Sequence, residues 1–194
     1  MSPSSLEHGG QFRLRPGLRK YACDVTLDLN SAHTQLILSE NNKRATFVND
    51  HQPYPDHPER FVHHEQVLSR EPLTGRCYWE AEWTGWSYIA VTYKGINRRG
   101  GSDSWFGYND QSWSLYCTEN RYSAWHNNEK TDIPAPSPKS KKIGVYVDES
   151  SGTLSFYSVC DSHDLKHIHT FKTTFTDCIY AGFRVFKSSL HLCL

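Results

Sequence analysis

The sequence is short of the features that mark most functional classes. Lysine plus arginine number 21, and so do aspartate plus glutamate, so the formal net charge is zero. A protein that neutralises nucleic-acid phosphates carries a basic excess, and the balance here speaks against a general nucleic-acid or polyanion binder. The eleven histidines add positive charge only in mild acid. No apolar run approaches the ~20 residues of a membrane-spanning helix. The opening residues, MSPSSLEHGGQF, hold no apolar stretch of the kind a secretory leader needs. Six cysteines, at 23, 77, 117, 160, 178 and 193, show no C-x-x-C spacing. With no leader in view, a reducing, cytoplasmic setting and six free thiols are expected. Helical periodicity is scarce too, since no long window repeats apolar residues every 3.6 positions. FRLRPGLRKYA, near the start, is expected to form one short helix, weakened by Pro16 and Gly17.

What the sequence has is alternation. YWEAEW sets Tyr78, Glu80 and Glu82 against Trp79, Ala81 and Trp83. SYIAVTY, KIGVYVD and GTLSFYSV alternate in the same way. Period 2 is the mark of half-buried strands, and turn signals separate these runs: Thr84-Gly85, Gly100-Gly101, Asn109-Asp110, Asn127-Asn128 and Ser151-Gly152. Many short strands with regular turns predict an all-β fold, an antiparallel two-sheet sandwich, and 194 residues suit one such domain. NDHQPYPDHPERF holds Pro53, Pro55 and Pro58 and reads as a loop. TDIPAPSPKSKK reads as an exposed loop between two strands, and NRRGGSD as a hairpin tip.

Three ordered stretches carry a resemblance to a known family. VTLDLNSAHTQLILSENNKRATF resembles the PRY segment of PRY-SPRY (B30.2) domains, GRCYWEAEW their Trp-Glu-Val-Glu motif, and GVYVDESSGTLSFY their Leu-Asp-Tyr-Glu motif with its hairpin. The likeness runs from about Tyr21 to the end. The wording is similar to the C-terminal domains of fish NOD-like receptors, fish tripartite-motif proteins and stonefish-type toxin subunits. Leu29 replaces the family's usual proline, Ala81 its valine and Glu149-Ser150 its Tyr-Glu, and the alternation survives each change. The resemblance implies a bent, jelly-roll-type sandwich of concanavalin-like form. Residues 1–20 would be an extension or short helix, 21–76 the PRY segment and 77–194 the SPRY segment, the last two forming one domain. It also implies protein recognition through loops at one end.

Other chemistries are weaker on these residues. Glu80 and Glu82 lie i, i+2 on one strand face, a spacing some glycosidases use, so a hydrolase stays as an alternative; the family motif carries both carboxylates without catalysis. His167-x-His169 would present two imidazoles on one face, with His51, His63 and His64 elsewhere, but no zinc spacing accompanies them. A Cys117–His126 nucleophile pair has no local motif behind it. Some butyrophilins of the family bind a phosphorylated small molecule in a basic pocket. Here Tyr88 stands where that pocket wants a histidine, and Gly100-Gly101-Ser102 lacks its tryptophan and lysine. No catalytic residue, metal or cofactor is therefore expected.

The aromatic stretch SWFGYNDQSWSLYCTENRYSAWHNN (residues 104–128) is the remaining feature. In SWSLYC, Trp113, Leu115 and Cys117 fall on one face and read as core, while Ser112, Ser114 and Tyr116 fall on the other. By the resemblance, that outer face and its loops line a partner-binding surface. The expected anchors are Tyr93, Trp105, Phe106, Tyr116 and Trp125, rimmed by Lys94, Arg98, Asp103 and His126. The expected role is a monomeric, non-catalytic module that binds a protein, as the targeting end of a tripartite-motif ligase or NOD-like receptor in innate immunity. A structural domain of a secreted pore-forming toxin is the alternative.

Overall fold

A computed structural model describes residues 12–135, 139–160 and 164–193. The alternating runs form strands, and all their pairings are antiparallel. One sheet has eight strands in the order β1 (Phe12–Leu14), β12 (Asp164–Lys172), β11 (Thr153–Val159), β10 (Lys142–Asp148), β5 (Arg76–Trp83), β14 (Ser189–Leu192), β3 (Arg44–Phe47) and β2 (Leu36–Ser39). The other has six, ordered β4 (Gln66–Leu73), β13 (Ile179–Val185), β6 (Ser87–Tyr93), β7 (Ser112–Cys117), β8 (Arg121–His126) and β9 (Glu129–Pro134). The expected all-β sandwich is what forms.

The main core lies between the sheets. Trp79, Val145 and Phe156 from one meet Ile89, Trp113, Leu115 and Phe183 from the other. Trp79 and Phe183 meet edge to face, with ring centroids 5.4 Å apart. Each sheet also carries a smaller cluster on its outer side. On the eight-stranded sheet Tyr78, Tyr146, Tyr157 and Leu165 are buried beside Leu18, which belongs to the short helix α1 (Arg15–Arg19). The helix expected near the start is therefore present, and it covers what would otherwise be a solvent face. On the six-stranded sheet Leu68 and Ala90 are buried under Phe61, Ile96 and Phe106, which come from loops.

The cysteine expectation needs correction. After α1 the chain runs beside β5, where Ala22 and Tyr78 form a parallel bridge, and the Tyr78 amide donates to the Tyr21 carbonyl at 2.9 Å. This pairing brings Cys23 to Cys77 with Cα atoms 5.5 Å apart, and the two form a disulfide. Four thiols remain, at Cys117, Cys160, Cys178 and Cys193. The partners are 54 residues apart in sequence, so nothing local announced the pair.

The first Pro-rich stretch is irregular, as read, and Arg60 pins it. Its buried guanidinium donates to the carbonyls of Leu29 and Ala32 at 2.7 Å each and of Pro55 at 2.9 Å. The second differs from the expectation. TDIP is the end of edge strand β9, where a terminal proline is tolerated; residues 136–138 lie outside the described residues. NRRGGSD is no hairpin tip but part of a long connection from Lys94 to Gln111.

Alkylation of denatured, unreduced protein should find four thiols, and six after reduction. Replacing Cys23 and Cys77 by serine together should lower stability by about 4 kcal/mol, the chain-entropy value for a loop of this length; denaturant melts would measure it. Six thiols without reductant would refute the pairing.

Candidate protein-binding surface

The outer face of the six-stranded sheet is laid out by strand register. One row runs Gln66, Arg184, Tyr88, Tyr116, Ser123, Asp132 across β4, β13, β6, β7, β8 and β9. The next row on this face runs Leu68, Gly182, Ala90, Ser114, Trp125, Lys130. The second row is small in its middle. The Lys94–Gln111 connection folds back over that depression, and Phe106 fills it. A Cβ on Gly182 would stand 2.7 Å from the Phe106 ring, so glycine is what lets the ring sit down on the sheet. Side chains from the strands stitch the loop in place. Ser114 Oγ donates to the Phe106 carbonyl at 3.0 Å, the Gly107 amide to Ser112 Oγ at 2.8 Å, and Gln66 Nε2 to the Ser104 carbonyl at 2.7 Å. Gly107, at φ +90°, takes the bend after Phe106.

With Phe106 seated, the rings beside it in the loop land next to the first row. Trp105 lies against Arg184, whose guanidinium carbon is 4.7 Å from the ring centroid. Tyr108 stacks on Trp125 at 4.5 Å and 18°. Tyr88 and Tyr116 stack at 4.6 Å, and Trp86 meets Tyr116 edge to face at 5.8 Å. Burial raises the phenol pKa of both Tyr88 and Tyr116. The face is thus a platform of two ring clusters bridged by one guanidinium, with Tyr88 buried and Trp86, Trp105, Tyr108, Tyr116 and Trp125 partly exposed.

His64 braces this platform. The Trp105 indole N–H donates to His64 Nδ1, and His64 Nε2 lies 2.9 Å from the Gly101 carbonyl. An indole only donates and a carbonyl only accepts, so the imidazole is neutral with its proton on Nε2. Desolvation by burial is the main cause that holds its pKa below the ordinary value. The Gly101 hydrogen bond and Glu65 oppose this, and the Arg184 charge reinforces it.

The expected site residues divide. Tyr116, Trp105 and Trp125 share the platform. Lys94 and Asp103 are exposed but held elsewhere on the loop: Lys94 pairs with Glu59 at 3.1 Å, and Asp103 accepts from Asn97 at 2.7 Å. Four are withdrawn from this face. Phe106 is buried as the plug. Tyr93 points into the core, edge to face with Trp113 at 5.3 Å. Arg98 is buried, donating to the carbonyls of Glu59, Lys94 and Ile96 at the base of the loop. His126 neighbours Trp125 and so faces the other way, stacked on Trp113 at 4.8 Å. Trp86, Tyr88, Tyr108, His64 and Arg184 were missed. Tyr88 and Arg184 had a signal in strand alternation, whereas the positions of Tyr108 and His64 depend on how loops fold.

The other chemistries lose their geometry. Glu80 is fully buried and accepts from Tyr78 Oη at 2.5 Å, while Glu82 is exposed, so the two carboxylates do not share one environment. A bulge in the β11–β12 pairing sets His167 opposite Tyr157 and His169 opposite Phe156, on opposite faces of the sheet, contrary to the one-face expectation. Among the described residues no group of three metal-ligating side chains converges. Cys117 and His126 sit at opposite ends of the β7–β8 pairing, and burial pushes the Cys117 thiol well up.

A bent β-sandwich with an aromatic platform under a folded-back loop defines the architecture of a recognition domain. The chain belongs to the PRY-SPRY family. The SPRY-associated domain model (PRY) matches residues 25–73, and the SPRY domain model matches residues 76–194. It is 44% identical to stonustoxin subunit beta of Synanceia horrida over 88% of its length and 24% of that protein's. It is 37% identical to tripartite motif-containing protein 16 of Mus musculus over 90% and 32% of the two lengths. Among solved structures, that of stonustoxin superposes with TM-score 0.85 at 41% identity, covering 93% of this chain and 28% of that one. The PSpry domain of TRIM65 gives 0.84 at 26% identity, covering 93% and 94%. The chain thus spans about a quarter to a third of the curated relatives it matches. Domains of this family serve in general as non-catalytic protein-interaction modules.

Trp113→Ala should cost roughly 3–5 kcal/mol in a denaturant melt, as buried aromatic truncations do. Tyr116→Ala should cost much less, because its ring is half-buried on the outer face. Equal losses would overturn the assignment of faces. A second expectation concerns pH. His33, His64 and His169 all have pKa values lowered from 6.5, chiefly by burial. Below pH 6.5 the unfolded chain binds these protons before the folded one does. Stability is therefore full above pH 6.5 and falls as pH drops through and below it. Melting at pH 7.5 and pH 5 should show the decline, and equal midpoints would mean these rings are not buried neutral.

Proposed function

We propose that this chain is a non-catalytic recognition module that binds a protein partner through the aromatic outer face of its six-stranded sheet. The observation that carries this is the platform itself. Trp86, Tyr88 and Tyr116 form one set of ring contacts and Trp105, Tyr108 and Trp125 another, and the Arg184 guanidinium lies between the two, against Trp86 and Tyr88 on one side and Trp105 on the other. Partly exposed tyrosine and tryptophan on a rigid scaffold offer large contact area with few rotors to freeze. Trp105 is fixed by His64 and Phe106 by the sheet, so little ordering cost falls on binding. In this reading the module is the targeting end of a larger innate-immune protein of the tripartite-motif or NOD-like-receptor kind, acting in the cytoplasm as a monomeric domain.

A second reading places the domain in a secreted pore-forming toxin subunit. Two observations favour it: the identity to stonustoxin subunits and the Cys23–Cys77 disulfide, since such bonds persist in oxidising compartments. Alkylating the thiols of the protein in its native cells separates the two. Cys23 and Cys77 oxidised on the cell's own protein would support the secreted reading, and both reduced would support the cytoplasmic one.

Affinity capture with the isolated domain, beside folded Trp105→Ala and Tyr116→Ala variants, tests the recognition reading. A protein retained by the parent domain should bind at least roughly tenfold more weakly to each variant if these rings are hot spots. Retention unchanged in both variants would move the binding surface elsewhere.

A further inference from the structure

Arg184 is placed unlike the other cations of the recognition face. Its guanidinium carbon lies 4.7 Å from the Trp105 ring, 5.7 Å from Trp86 and 5.8 Å from Tyr88. Aromatic faces hold a guanidinium by attraction to their electron-rich surface, but they accept its hydrogen bonds poorly. Its nearest carboxylate is Glu65, at 3.5 Å from Nη2, the long limit of a hydrogen bond. Nε is buried and has no acceptor among the described residues. The side chain is still 14% exposed, in the middle of the platform. A group with five donors is thus oriented by rings that leave most of those donors unused. Such an arrangement is costly in isolation, because a desolvated donor without an acceptor loses its water without replacement.

We infer that Arg184 makes this face selective for a protein segment that presents one acidic side chain between apolar neighbours. The inference rests on the recognition reading above and specifies its partner. A planar carboxylate matches the fork of a guanidinium with two parallel hydrogen bonds. The charge count favours one negative charge over two. Arg184 is the cation at the centre, Glu65 beside it already supplies a negative charge, and His64 is neutral through its bond from Trp105. A phosphate dianion would meet repulsion from Glu65 with a single cation to answer it. Apolar neighbours of the acidic residue would lie on Trp86 and Tyr116 to one side and on Trp105 and Tyr108 to the other.

The test is selection of random linear peptides displayed on phage against the folded domain. Selected sequences are then made with both ends capped, and titrated by fluorescence polarisation. An aspartate or glutamate is expected at one fixed position with apolar residues on either side. Changing it to asparagine or glutamine should weaken binding roughly tenfold or more. Arg184→Gln should weaken the acidic peptide by a similar factor and bind the acidic and amide peptides equally, the sign of a direct pair in a double-mutant cycle. If Arg184→Gln does not fold, the acidic and amide peptides on the parent domain, with Arg184→Lys beside them, decide alone. Selected peptides without an acidic residue, or an acid-to-amide change without loss, would overturn the inference and leave the recognition reading standing. Peptides that bind only with a free C-terminal carboxylate would also overturn it. If no sequence is enriched over those taken by an unrelated sandwich domain, both the recognition reading and this inference fail.

Discussion

Phe106 rests on a strip of sheet made of Gly182, Ala90 and Ser114, and the aromatic face of the six-stranded sheet is arranged around that contact. A long connection has little reason of its own to lie flat on a sheet, because its backbone polar groups need partners. Here the buried ring supplies the apolar gain, edge to face with Phe61 at 5.7 Å, and the serines and Gln66 supply the partners. Once the ring is seated, Trp105 and Tyr108 are fixed by chain connectivity on either side of it. The platform is therefore a property of the loop and the sheet together, and neither would hold the rings without the other.

The two outer faces of the sandwich are used differently for the same physical reason. An aromatic-bearing sheet face must be covered or must do something exposed. On the eight-stranded sheet α1 and the strap to Cys23 cover Tyr78, Tyr146 and Tyr157, and the disulfide fastens the strap to β5. On the six-stranded sheet the cover is partial. It buries the middle of the row at Gly182 and leaves Arg184 and Tyr116 of the neighbouring row partly exposed, with Arg184 held among rings that cannot satisfy it. An incompletely covered face with an under-used guanidinium suits partner binding. It also gives the face a dependence on acid, because Trp105 is held by an imidazole that has to stay neutral.

How far the site could be read in the sequence follows the range of the interactions. Trp113 and Tyr116 were assigned to opposite faces correctly, because three residues on a strand always reverse the side chain. The same rule, applied across one more strand, separates Trp125 from His126. His167 and His169 broke the rule, because a bulge inserts a residue where the partner strand does not. Phe106 and Arg98 were expected outside and are inside, because segments distant in the chain pack over them. Tyr93 is inside for a local reason, since it shares its face of β6 with core Ile89 and Val91.

The sequence by itself determined the alternating core strands, the antiparallel sandwich, the short helix and the family, since period-2 alternation and ordered motifs are local records of a buried face; the exposed edge strand β9 has no buried face to record and read as loop. Tertiary structure alone decided that the Lys94–Gln111 connection folds back on its own sheet, that Arg184 of β13 stands beside Trp105, and that Cys23 meets Cys77. Each of these joins residues tens of positions apart. Such pairs form when strand order and register bring them within reach, and strand order is set by the packing of the whole sandwich.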